Sequence, residues 1–491
     1  MNQSFNRKIV YLVALAALLW PMAWLGSPST VSDPEGGKLA QLRSEARLGQ
    51  ADLGAIDPAS ETIRMATLGL RGMAVTMLWN KANQYKKVED WDAFQATLDQ
   101  LSRLQPYFVK VWQYQAWNLT YNVSVELDDV RDRFYYVKRG IFYLKDGIQY
   151  LRDNPTLLDD LGWFTGNKVG RADEHELYRR MFKADDELHA ADTQSQARDN
   201  WLVSRQWYEL AISAVDDRGQ PLGTKNPVTF FDSPARSQMS YAEAIEEEGV
   251  QNSLWRSAWE LGGELWHDYA TREMRATQGF MVRLADQEKY EADMRRYADE
   301  LDALRPGMSD VLRREAEAGL SDKQKELLAA PPANPTPEEA TLSQQATEAL
   351  DITPAEVAAR IAAEDPDKAS AARKLANQIL AANERARSIS TDRDVANYAY
   401  WESRCKIEQT DAALNARRLA HEGRRAFQDE GDLDKAREKY EACFVQWAEA
   451  LKAVPEIGID STFGGDLMEF VDDYHKVLQQ LDLSLSDKGV A

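Results

Sequence analysis

The 491-residue sequence predicts an all-α fold, in which an N-terminal transmembrane helix is followed by a solenoid of helical hairpins and a further helical region. Three observations support this prediction. One uncharged apolar run lies near the N-terminus. Apolar residues then recur at helical spacing through residues 61–190, with few prolines. No alternating run of β-branched residues bounded by turns occurs in that region.

The N-terminal segment predicts a membrane anchor. Residues 9–25 contain no charged residue, and two basic residues precede them. At about 1.5 Å per residue this helix would cover roughly 25 Å, within the lower range for a membrane span. The charge asymmetry places residues 1–8 in the cytoplasm and the body on the outer, periplasmic side, as a single-pass protein of the cytoplasmic membrane with residues 26–60 as a tether. A cleaved signal peptide and a segment buried in the fold are the alternatives.

The helical body, residues 61–190, begins with a predicted hairpin over residues 63–106. Its two helices each show one apolar stripe to the other, because their apolar residues are spaced three to four apart. These residues are Leu68, Met73, Met77 and Leu78, then Phe94, Leu98, Leu101 and Leu104. Pro106 is expected to end the second helix.

The same region fits in part a 34-residue helix-turn-helix repeat with the pattern W-x2-L-G-x2-Y…A-x3-F…P. The first unit places Leu78, Ala82, Tyr85, Leu98 and Pro106 on expected positions. A second unit follows with Trp112, Ala116 and Leu119, and a third with Leu158, Leu161, Gly162, Thr165 and Tyr178. A fourth is indicated by Phe427, Gly431, Asp432, Ala436 and Tyr440.

On these residues the chain resembles the tetratricopeptide-repeat family, and more loosely the membrane-anchored, repeat-bearing proteins of bacteria that begin with a similar LGLRG…LW…QY hairpin. The resemblance implies a short superhelix whose concave face, lined by first-helix side chains, binds peptides or partner helices. The family's carboxylate clamp does not carry over. Asn83 occupies a plausible clamp position, but the matching Lys and Arg positions are not filled.

Two further helical regions are predicted after the repeats. Residues 191–304 are expected to be helical around a long loop, residues 216–236, whose prolines and glycines disfavour a helix. Residues 305–390 form an Ala/Glu/Pro-rich, loosely packed helical arm with a linker. Pro after Thr336 and after Thr353 predicts a helix start at each threonine.

The C-terminal region, residues 391–491, predicts a helical hairpin and a tail. A long helix is expected to reach Phe427 and to turn at Gly431, and a second helix returns to residue 454 before a shorter closing helix. Cys405 and Cys443 are the only cysteines. In a hairpin that turns at Gly431 they lie about 18 Å apart along the helix axis, so we expect two separate buried thiols.

Composition and motifs exclude several function classes. The net charge of -21 argues against nucleic-acid binding, which needs clustered Lys and Arg. None of the five histidines has a second His or Cys at ligand spacing, and no phosphate-binding, dinucleotide or G-x-S-x-G motif occurs. The sequence therefore predicts no metal, no cofactor and no catalytic residue. The glycine series Gly162, Gly166 and Gly170 predicts close helix packing.

The leading functional hypothesis is a non-enzymatic scaffold that binds a protein partner at the outer face of the cytoplasmic membrane. Repeat phase places Trp79, Asn83 and Trp117 on the predicted partner-binding face. Such a scaffold predicts a groove without buried acids.

Two alternatives stay open. An all-helical enzyme acting on cell-envelope glycans would use paired carboxylates, for which Asp159 and Asp160 beside Trp163 are candidates, and it predicts a cleft with a carboxylate of raised pKa. A structural coiled-coil oligomer would use the helices of residues 243–296, although sustained heptads are not present there.

Overall fold

The computed structural model describes residues 71–484 and the isolated residues 17, 37, 38 and 41. Apart from those isolated positions, the predicted cytoplasmic N-terminus, anchor and tether (residues 1–60) lie outside the described residues. The chain forms two compact units, Met1–Lys225 and Asn226–Ala491. The described part is helical except for one two-stranded hairpin, which confirms the all-α class. None of its helices combines the length and the apolar character that crossing a membrane requires.

The predicted hairpin is the first element in residues 71–225 and is formed by α1 (Arg71–Lys87) and α2 (Trp91–Leu104). Asp90 caps α2 by accepting a hydrogen bond from the backbone N–H of Ala93 at 3.1 Å. Three residues of the predicted α2 stripe, Phe94, Leu98 and Leu101, are buried and Leu104 is half-buried, but Met77 of α1 is 65% exposed. Leu68 of the predicted α1 stripe lies outside the described residues. The prediction for Met77 is wrong because the inward face of α1 carries Ala82, which is fully buried and packs in one cluster with Phe94 and Leu98 of α2.

The second pair of helices is α3 (Val109–Trp117) and α4 (Val130–Tyr150). A π-helical turn, Asn118–Val123, extends α3. A Cβ on Gly147 would lie 2.9 Å from the Trp112 ring, so the glycine admits this indole between the helices. Trp112, with its indole N–H bonded to the carbonyl of Pro106 at 2.9 Å, belongs to the core of the unit.

The last helices of the first unit are α5 (Pro155–Trp163), its π-helical extension (Phe164–Lys168), α6 (His175–Ala184) and α7 (Asn200–Asp216). The glycine series packs α5 and its extension closely against α7, as predicted. A Cβ on Gly162 would lie 2.6 Å from Cε1 of Tyr208, and one on Gly170 would lie 2.5 Å from the Trp201 ring. The predicted third hairpin, which pairs α5 with α6 through Tyr178, is therefore wrong because the glycines face α7.

The second unit opens with α8 (Pro227–Phe231), α9 (Ser233–Glu247) and α10 (Ser253–Thr271). The predicted long loop, residues 216–236, is thus shorter than expected. Its prolines start helices instead of breaking them, because Pro227 and Pro234 occupy first-turn positions. Strands β1 (Met274–Arg275) and β2 (Met281–Val282) pair antiparallel and interrupt residues 243–296, so no continuous coiled-coil helix exists there.

The Ala-rich region follows α11 (Gln287–Leu304) and contains several helices. They are α12 (Met308–Gly319), α13 (Asp322–Ala329), α14 (Pro337–Leu350), α15 (Pro354–Glu364) and α16 (Ala369–Ala396). Both predicted helix starts are confirmed, and Thr336 and Thr353 each form a capping box. The arm is not loosely packed throughout, because α11, α15 and α16 share a buried core that includes Val357, Ile361 and Ile379.

The C-terminal helices are α17 (Tyr398–Glu408), α18 (Asp411–Arg425), α19 (Leu433–Ala453) and α20 (Ser461–Gln480). The predicted long helix to Phe427 is wrong, since Asn397 adopts a left-handed φ of 52° and Thr410 caps a new helix. The turn at Gly431, with φ 66°, and the return helix are confirmed. Cys405 and Cys443 are free and buried, as predicted.

Candidate functional site

A surface groove of about 500 Å³ lies on the first unit. Its walls come from α1, from α3 with the residue before it, and from α5 with its π-helical extension. The lining residues are Trp79, Phe108, Lys110, Gln113, Tyr114, Trp117, Asp160 and Phe164. Most of these side chains are aromatic, and none is aliphatic.

Three of the five aromatic side chains of the groove are exposed, whereas Trp79 is half-buried and Phe164 is buried. Phe108 is 51% exposed, Tyr114 41% and Trp117 47%. The rings of Trp79 and Tyr114 meet edge to face, with centroids 5.1 Å apart, so α1 and α3 together form one wall. Rings held by neighbouring rings present rigid apolar faces, and such faces lose little conformational entropy when a ligand covers them.

Two π-helical turns position the far wall of the groove. Trp117 directly precedes one of these turns, and Phe164 begins the other. Tyr121 contacts both rings: it stacks on Trp117 with ring centroids 5.9 Å apart and meets Phe164 edge to face with centroids 5.5 Å apart. Side chains hold the altered backbone: Asn118 donates to the carbonyl of Tyr114 at 3.1 Å, and Thr165 donates to the carbonyl of Leu161 at 2.7 Å. Such turns are frequent at functional sites because they redirect the side chains around them.

The polar part of the groove is centred on Asp160. Its carboxylate accepts hydrogen bonds from the amide of Gln113 and from Nζ of Lys225, the latter at 3.0 Å. Lys225 also forms an ion pair with the neighbouring Asp159. Burial raises the pKa of Asp159, although the Lys225 ammonium opposes the shift. Asp159 does not line the groove, so this raised pKa does not identify a cleft acid.

Two polar groups of the groove, the side-chain amide oxygen of Gln113 and the ammonium of Lys110, lack a partner among the described residues. Oε1 of Gln113 is buried and has no hydrogen-bond partner within the described part of the chain. Lys110 is exposed, and no carboxylate of residues 71–484 forms an ion pair with it. An unsatisfied buried acceptor and an uncompensated ammonium are both groups that a ligand can satisfy.

The structure brings together two of the three residues of the predicted partner-binding face. Trp79 and Trp117 both line the groove, whereas Asn83, one turn further along α1, is exposed and is not among the lining residues. Sequence reasoning missed the contributions of Lys110 and Phe164. Tyr114 is exposed in the groove.

The second unit contains a buried charged cluster that offers no comparable opening. Glu408 is fully buried and forms ion pairs with Arg404, at 2.9 Å, and with Arg417. Arg417 also pairs with Glu246 at 2.8 Å. Burial raises the pKa of Glu246 to about 7, although Arg417 acts against this shift. Because these charges satisfy one another between α9, α17 and α18, the cluster is a structural connection between helices.

Other reactive side chains of the described residues do not form a site. Burial raises the pKa of both thiols, Cys405 and Cys443, to about 12, so neither is a reactive thiolate at neutral pH. Within residues 71–484 no group of His, Cys, Asp or Glu has an arrangement that would hold a metal ion. Nδ1 of His175 contacts the carbonyl of Ala172 at 3.0 Å.

Comparisons with protein-family models, with curated proteins and with solved structures found no match.

Proposed function

We propose that this protein is a membrane-anchored helical-repeat scaffold that binds a segment of a protein partner in the groove of its first unit. The observation that carries the proposal is the set of exposed aromatic faces around one concavity of about 500 Å³. Aromatic side chains contribute most to the binding energy of protein interfaces, because they bury a large apolar area and their N–H or O–H groups still find partners.

The remaining parts of the proposal come from the sequence. The apolar run of residues 9–25 would anchor the chain in the cytoplasmic membrane, with the body on the outer side. The tetratricopeptide-like pattern agrees with this use of the groove, because Trp79 and Trp117 occupy first-helix positions in it. In this proposal the two tryptophans act as anchors, and the surrounding polar residues set the register of the bound segment.

Site-specific photo-crosslinking tests the proposal. Tyr114 is replaced by p-benzoylphenylalanine in the full-length protein, the native membranes are irradiated, and crosslinked peptides are identified by mass spectrometry. The matched control carries the same residue at Tyr135, which is 52% exposed on α4 and lies outside the groove lining. We expect one recurrent partner segment from position 114, absent from position 135, and lost when Trp117→Ala is added.

Three outcomes would contradict the proposal. These are no adduct from position 114, the same adducts from both positions, and adducts that persist in the Trp117→Ala chain. A glycan adduct would favour the alternative of an envelope-glycan enzyme. Thermal unfolding of the Trp117→Ala protein serves as the folding control.

A further inference from the structure

We propose that the groove takes an extended, proline-rich peptide that carries acidic residues at one flank. This inference rests on the proposed function and specifies the chemistry of the bound segment. It follows from three properties of the groove, which are its aromatic lining, its hydrogen-bonding capacity and its charge.

The aromatic lining favours proline over aliphatic anchors. An amphipathic helix inserts Leu or Ile side chains into a groove along an i, i+3, i+4, i+7 row, whereas polyproline II segments dock on grooves of aromatic rings. Here the apolar lining is aromatic only, from Trp79, Phe108, Tyr114, Trp117 and Phe164. The rings of Trp79 and Tyr114 meet edge to face with their planes inclined by 63°, so each supports the other as a flat surface on which a compact pyrrolidine ring can pack.

The hydrogen-bonding groups of the groove complement such a peptide. A polyproline II segment makes no internal hydrogen bonds, so its carbonyl groups remain free to accept, and its prolines have no N–H to satisfy. The indoles of Trp79 and Trp117 and the ammonium of Lys110 are donors without acceptor capacity. The buried and unpartnered Oε1 of Gln113 is the complementary acceptor for one N–H of a residue other than proline.

The charge of the groove favours acidic residues beside the prolines of the bound peptide. Lys225 pairs with Asp160, whereas Lys110, the lysine of the groove lining, forms no ion pair with a carboxylate of the described residues. An acidic residue beside the prolines would pair with Lys110. The chain as a whole has a net charge of -21 and therefore repels acidic ligands elsewhere. Lys110 would thus fix where the acidic flank of the peptide binds and would also strengthen its binding.

Fluorescence anisotropy with the full-length protein in detergent tests the inference. The probe is a fluorescein-labelled peptide of six prolines followed by two glutamates. Two control peptides replace the prolines by alanines or the glutamates by lysines. We expect saturable binding of the probe below about 1 mM, and binding of each control peptide weaker by about tenfold.

Variants of the protein assign the binding to the groove. Trp117→Ala should weaken binding of the probe by about tenfold or more, and Trp117→Phe by less, because the ring remains while the indole N–H is lost. Lys110→Glu should weaken binding of the glutamate probe and strengthen that of the lysine probe. Tyr135→Ala, an exposed aromatic outside the groove, should leave both affinities unchanged.

The inference is overturned if the proline probe does not bind, if the alanine peptide binds equally well, or if Trp117→Phe and Tyr135→Ala weaken binding as much as Trp117→Ala does. Its failure can be distinguished from failure of the proposed function. A crosslinked partner segment at position 114 that is helical and free of proline would leave the scaffold intact and refute the proline-rich ligand.

Discussion

A methyl group added at Gly162 should destabilise the first unit, although alanine is the better helix former. The added Cβ would lie 2.6, 2.7 and 2.8 Å from three atoms of the Tyr208 ring, where an ordinary contact is 3.4 Å or more. Tyr208 is buried on α7 and has little freedom to withdraw. The ring or the helix must therefore move by several tenths of an ångström where α5 packs on α7.

The expected size of the effect is a balance of two terms. Overpacking of a core by one methyl typically costs about 1–3 kcal/mol. Replacing Gly by Ala inside a helix returns about 1 kcal/mol. We therefore expect Gly162→Ala to lower the free energy of unfolding by about 1 kcal/mol, which corresponds to about 2–4 °C for a unit of this size. Gly465→Ala in α20, where a Cβ meets no atom within 4 Å, should instead stabilise by up to about 1 kcal/mol.

Differential scanning calorimetry of the two variants and the parent protein checks this prediction, because it resolves the two units if they unfold separately. A double-mutant cycle with Tyr208→Leu isolates the contact, and Gly162→Ala should be less harmful in that background. If Gly162→Ala raises the unfolding temperature as Gly465→Ala does, the close packing of α5 on α7 is wrong.

Three further predictions concern the second unit. Glu408→Gln should lower the stability of the unit by about 3 kcal/mol in urea denaturation, because two buried guanidinium groups lose the carboxylate that they share and keep only one partner each. Glu430→Gln at an exposed ion pair should change stability little. Burial raises the pKa of Glu246 from 4.5 to about 7, so the stability that its protonated form contributes is full below pH 4.5 and is lost as the pH rises through 7. Glu246→Gln should therefore flatten the dependence of the free energy of unfolding on pH. The same dependence in the parent and the Gln variant would contradict this prediction. Thr353→Ala should destabilise by about 1 kcal/mol through loss of the cap of α15, and Thr353→Ser should not, as measured by thermal unfolding.

Local signals in the sequence predicted many elements of the fold correctly. The hairpin of α1 and α2, the helix starts at Thr336 and Thr353 and the turn at Gly431 depend on residues within a few positions of one another. Pro at the first helical position and Gly at a left-handed position are rules of this kind, because the cause lies in the backbone of the residue itself.

Predictions failed where a distant partner decides the local structure. The break between α16 and α17 occurs at Asn397, with neither Gly nor Pro to mark it, and asparagine tolerates the left-handed conformation only moderately well. The pairing of α5 with α7 instead of α6 follows from which helix fits the glycine surface. Periodicity within α5 shows that such a surface exists, but it does not show which later helix covers it.

Part of the groove follows from local sequence signals and part depends on distant residues, so only the first part could be predicted from the sequence. Trp79 and Trp117 share a phase in the repeat pattern, so both were placed on one face. Phe164 begins a π-helical turn, whose backbone departs from the spacing of 3.6 residues that every periodicity argument assumes. Each of the two π-helical turns still has a local marker in the sequence. Asn118 in the first and Thr165 in the second donate a side-chain hydrogen bond to the carbonyl group four residues earlier. A buried Asn or Thr just after an aromatic residue near a helix end therefore deserves testing as a sequence marker of such grooves.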